Sequence, residues 1–90
     1  MLQRMRGEET MREIIITEIK TSIARDQEMD LTPEEDILTT GVLDSLGVMK
    51  LVSFIQEQFS IAIDPGEMVI ENFINVLAME SFIKSKLASA

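Results

Sequence analysis

Ninety residues make one small domain, expected to span 1–90, with little room for a second. The absence of cysteine and histidine excludes disulfides, zinc thiolate sites, thiol nucleophiles and imidazole acid–base chemistry. Eight basic against sixteen acidic residues leave a net charge of −8, so neither nucleic acid nor an anionic membrane surface is an expected partner.

Hydrophobic residues make up 46% of the chain, enough for a packed core. No apolar run approaches the roughly 20 residues needed to span a bilayer, and residues 1–6 lack the apolar stretch of a signal peptide. The reading is a cytoplasmic monomer without membrane insertion.

In chain order, residues 1–7 read as a flexible extension. From about residue 8 to 26 the pattern is helical, because Ile15, Ile16, Ile19 and Ile23 fall within ~100° of a helical wheel. The β-branched run Ile14-Ile15-Ile16 would suit a strand, but the spacing over two turns outweighs it. Residues 27–44, with Pro33, Gly41 and several Asp and Thr, form a long loop with a turn near 34–38. Connections of that length are usually functional. A second helix begins at or just after Ser45 and runs to about Phe59, with Val48, Leu51, Val52, Ile55 and Phe59 facing the core. Gly47 in its first turn costs about 1 kcal/mol relative to Ala, so another constraint must favour it. Ile61-Ala62-Ile63 reads as an extended link, Asp64-Pro65-Gly66 as a turn and Glu71-Asn72-Phe73 as a brief helical turn. Asn75 caps a last helix with stripe Val76, Met79, Phe82, Ile83 and Leu87. The expected fold is all-α: an up-down bundle of three main helices plus a short extra one, with a long loop after the first helix.

Catalytic arrangements fail one by one. Asp26, Glu28 and Asp30 open with the rhythm of a calcium loop, but its Gly and final Glu positions are Leu31 and Ile37. The stretch from Asp26 to Asp44, both included, holds seven acids and no base, which reads as a solvated loop or as an electrostatic handle for basic partners. A serine nucleophile has no histidine to activate it, and Lys50 lies ~140° around the helix from Ser45. The many carboxylates sit in polar stretches, and no Gly-rich phosphate loop is present. No enzymatic activity is expected.

One constellation remains, Gly41-Val42-Leu43-Asp44-Ser45-Leu46. In its simplest form Gly41 turns the chain, Leu43 plugs the core and Ser45 or Asp44 caps the helix. However, Leu46, Met49 and Phe54 fall outside the core stripe, among Lys50, Ser53 and Glu57. Apolar side chains on a polar face beside a serine point to a surface that a partner covers. This hexapeptide, followed by an amphipathic helix ending Glu57-Gln58-Phe59-Ser60-Ile61-Ala62-Ile63, resembles the acyl carrier protein family. The Ile-rich first helix, the acidic loop, the Glu71-Asn72-Phe73 turn and the Phe82-bearing last helix stand in the expected order.

The resemblance implies that a phosphopantetheinyl transferase attaches 4′-phosphopantetheine, taken from coenzyme A, to Ser45. A phosphate there would meet the N-terminus of a helix, and the arm would bring the thiol that the chain lacks. By the same resemblance Asp44 serves transferase recognition, and Leu46 and Met49, with Lys50, Ser53 and Glu57 beside them, form the partner face. Leu51, Ile55, Phe73 and Phe82 are candidates for an acyl cavity, a role compatible with ordinary core packing. The implied function is to present acyl groups, held as thioesters, to acyltransferases or synthases of fatty-acid, lipid or polyketide-type biosynthesis. Bulk fatty-acid carriers are acidic along the second helix, whereas here stand Gly47, Lys50, Ser53 and Gln56. Asp-Ser-apolar-Gly is also similar to D-alanyl and aminoacyl carriers loaded by an adenylating ligase. An unmodified helical adaptor is the alternative from another class. Metal ligands are not expected.

Overall fold

The computed structural model describes residues 7–26 and 28–89, which form helices and loops without a strand. α1 is Gly7–Glu18, continued by a π turn over Ile19–Ile23; α2 is Ser45–Phe59, α3 is Ile70–Phe73 and α4 is Val76–Ser89. The expected all-α bundle, three main helices and a short extra one, is the observed architecture. The expected extension over 1–7 lies outside the described residues except for Gly7, which already belongs to α1.

Each first-helix isoleucine one turn apart does core work. Met11, Ile15 and Ile19 are buried, and α1 packs along α4 while the π turn meets α2. The helix ends in a widened turn, with Ala24 N–H donating to the Ile19 carbonyl at 2.7 Å and Asp26 N–H to that of Lys20 at 2.7 Å. Arg25 closes it at φ +57°, a left-handed conformation unusual for a side-chain-bearing residue.

The long loop is pinned rather than slack. Leu31, Ile37 and Leu43 are buried in the core as three plugs along it, each contributing on the order of 1.5–3 kcal/mol. Ile37 N–H donates to the Ile74 carbonyl at 2.9 Å, and Leu77 N–H to that of Pro33 at 3.1 Å. These bonds moor the loop to the α3–α4 junction. The expected turn near 34–38 is built on Asp36, whose Oδ1 accepts from the N–H groups of Leu38 at 3.0 Å and Thr39 at 2.9 Å. The Thr39 hydroxyl holds its second oxygen, and these bonds lower the Asp36 pKa.

Leu51, Val52 and Ile55 of α2 are buried, while Val48 and Phe59 pack against the core from its edge. Ser60 terminates α2 at φ +56°. The Gln56 side chain then accepts from Ile63 N–H at 2.8 Å, which fixes the extended link. A 3₁₀ turn over Pro65–Glu67 carries a capping box between Asp64 and Glu67. Asn75 caps α4 as expected, its Oδ1 accepting from Ala78 N–H at 2.7 Å. In α4 Val76, Met79 and Ile83 are buried, but Leu87 is 43% exposed. The expected stripe therefore ends one turn early, at Ile83. Glu80 is the reverse case: it is buried and pairs with Arg12 of α1 at 2.8 Å.

Candidate functional site

The head of α2 is assembled by one aspartate and one glycine. Asp44 has extended backbone and is the N-cap; its Oδ1 accepts from Gly47 N–H at 2.7 Å. Its carbonyl accepts the first helical bond, from Val48 N–H, at 2.9 Å. Of the two capping choices open in the sequence, the structure takes Asp44. Ser45 is left as the first helical residue, exposed. The first N–H groups of a helix have no intrahelical acceptor, and those of Ser45 and Leu46 find none among the described residues. An anion at Ser45 would therefore meet open donors and the positive end of the helix.

Gly47 explains its own cost. It is buried, and a Cβ there would stand 3.0 Å from Ile23 Cγ2, 3.3 Å from Asp44 Oδ1 and 3.5 Å from Leu43 Cδ2. The π turn and the first turn of α2 approach closely here, and a side chain at this position would crowd Ile23 and the capping carboxylate. Gly41, at φ +85°, makes the turn that lets Leu43 enter the core.

Leu46 is 64% and Met49 54% exposed, and Lys50, Ser53 and Glu57 are exposed on the same helix. Phe54 departs from the surface face predicted for it. It is half-buried, packs on the core and borders a groove with Glu13, Ile14, Thr17, Glu18 and Gln58 toward α1. The helical wheel could not foresee this, because the side on which α1 lies is a tertiary fact.

Leu51 and Ile55 are wholly buried. A cavity of about 140 Å³ opens instead among Leu38, Val48, Met68, Val69, Ile70 and Phe73. Val48, on its lining, stands three residues, almost one turn, beyond Ser45 in α2. Phe82 borders a separate, larger depression of about 690 Å³ with Ser60, Ile61, Glu67 and Lys86. The rings of Phe73 and Phe82 touch, with centroids 5.8 Å apart. Met68, Val69 and Ile70 were missed in the sequence. They are exposed, and their one signal is an apolar triplet set between Glu67 and Glu71.

Among the described residues no cluster of acids could hold a metal ion, and no helix is long and apolar enough to cross a membrane. A small helical bundle that offers an exposed serine at the head of its second helix has the form of a carrier domain. The comparison with known families agrees: residues 9–83 match the phosphopantetheine attachment site family, and the chain belongs to it. Its prosthetic group is covalently attached 4′-phosphopantetheine. No curated protein matches the chain.

Proposed function

We propose that the chain is a non-catalytic acyl carrier protein whose arm is attached at Ser45. One observation carries this reading: Ser45 is exposed at the first position of α2, beside open backbone donors, in a chain matched to the family over most of its length. In the modification the Ser45 Oγ bonds to the phosphorus of coenzyme A that bears pantetheine. The pyrophosphate bond breaks, adenosine bisphosphate leaves and the hydroxyl proton passes to the transferase. Once attached, the arm supplies a thiol that holds cargo as a thioester.

Asp44 Oδ1 is committed to the helix cap, so its second oxygen is the one left to engage the transferase and its metal. Leu46 and Met49 are the apolar contacts for partner enzymes, with Lys50, Ser53 and Glu57 around them. Because Lys50 stands where a basic partner would prefer an acid, the carrier serves a dedicated lipid or polyketide-type pathway rather than bulk fatty-acid synthesis. The Asp44-Ser45-Leu46-Gly47 run keeps an aminoacyl carrier as the second reading. The cavity beside α2, lined by apolar side chains, favours acyl cargo, since a charged ammonium would lose hydration there.

The test is an intact mass spectrum after incubation with coenzyme A, magnesium and a broad-specificity phosphopantetheinyl transferase. One phosphopantetheine is gained by the native chain and none by Ser45→Ala. Because Asp44 supplies the cap, Ser45→Ala keeps its helical signal and changes stability by no more than about 0.5 kcal/mol. No gain with an active transferase would return the chain to the adaptor class.

A further inference from the structure

The residues around the small cavity differ sharply in burial. Met68, Val69 and Ile70 are 36%, 42% and 61% exposed, Leu38 and Val48 are half-buried, and Phe73 is 3% exposed. The first three therefore form the mouth and Phe73 the floor. Behind that floor stands Phe82, its ring centroid 5.8 Å from that of Phe73 and its plane tilted by 59°. Phe82 in turn borders the larger depression, so this aromatic pair is the partition between the two spaces.

We propose that the Phe73–Phe82 pair sets the length of acyl chain that this carrier shelters, which makes it a carrier of short chains. The inference rests on the carrier reading and deepens it. A cavity of about 140 Å³ is close to the engineered apolar cavity of ~150 Å³ that holds one benzene, so it takes about six carbons. A longer tail meets the Phe73 ring, which has the Phe82 ring packed against it. Carbons beyond the sixth stay at the mouth, among Met68, Val69 and Ile70, or in water. Cargo with a polar or charged tail finds no partner among the apolar lining.

The experiment loads the apo chain from acyl-coenzyme A thioesters of two to twelve carbons with the same transferase. Each product is verified by mass, and its thermal midpoint and amide exchange across residues 69–73 are measured. The midpoint is expected to rise up to about six carbons and then level, with amide protection following it. In Phe82→Ala, where only a half-buried ring is removed, the levelling point moves to longer chains. Phe73→Leu keeps the floor apolar and moves it in the same direction. A native midpoint still climbing at twelve carbons would overturn the proposal, as would one indifferent to the acyl group or a levelling point unmoved in both variants. Absence of any mass gain would instead sink the carrier reading itself.

Discussion

A single missing Cβ positions the serine. At Gly47 helix propensity alone favours alanine by about 1 kcal/mol. However, the added methyl would meet a stiff β-branched isoleucine at 3.0 Å and the capping carboxylate at 3.3 Å. Overpacking of this kind costs about 1–3 kcal/mol, so Gly47→Ala should lower stability by about 1 kcal/mol net. It should also slow modification of Ser45, because the Asp44 cap shifts. Urea denaturation and transferase rate measure the two effects; a stabilised, normally modified variant would refute the close-approach argument. Lys50 is exposed, and its charge tests the cargo reading at the same scale. Lys50→Glu should tighten binding to a basic-faced fatty-acid synthase component, in a salt-dependent way. Titration calorimetry showing no gain would remove the charge argument for a dedicated pathway.

Among elements, the ends carry the strain and the middles the packing. α2 stops at Ser60, whose φ of +56° is one that glycine adopts without penalty. Ser60→Gly should stabilise the fold by about 0.5–1 kcal/mol, read as a raised denaturation midpoint. A lowered midpoint would mean that the serine has a role beyond closing the helix. The π turn at Ile19–Ile23 widens α1 where Ile23 faces Gly47, and such turns are often found next to functional sites. The 3₁₀ turn over Pro65–Glu67 is tied to α4 by Lys86, whose Nζ donates to Glu67 Oε1 at 2.9 Å and Oε2 at 3.0 Å. It thereby holds the approach to α3 and the mouth of the cavity.

For the whole molecule, acidity governs solubility and also the pH response. The Asp36 carboxyl is held low first by the Thr39 hydroxyl, and that of Glu67 first by Lys86. In the unfolded chain both return to ordinary carboxylate values, so below those values the unfolded state binds more protons. Their stabilisation is therefore complete above the ordinary range and is lost as pH falls through the lowered folded values. The urea midpoint should be level near neutrality and decline below about pH 4, with a shallower decline in Lys86→Met. Equal acid slopes in the native chain and the variant would discount the Glu67–Lys86 pair.

Periodicity and turn chemistry were local, and the sequence alone determined them. The helical spacing of Ile15 and Ile19, the Asn75 cap and Ser45 at the head of α2 all follow from neighbours within one or two turns. So did the family resemblance, carried by Asp44-Ser45-Leu46. Only the tertiary structure decided which side of each helix was covered. That fact put Phe54 against α1, left Leu87 bare and buried Glu80 beside Arg12. It also drew the cavity with Met68, Val69 and Ile70 at its mouth, leaving Leu51 and Ile55 in the core. Such features depend on contacts between residues far apart in the chain, and a helical wheel does not say which neighbour will stand on which side.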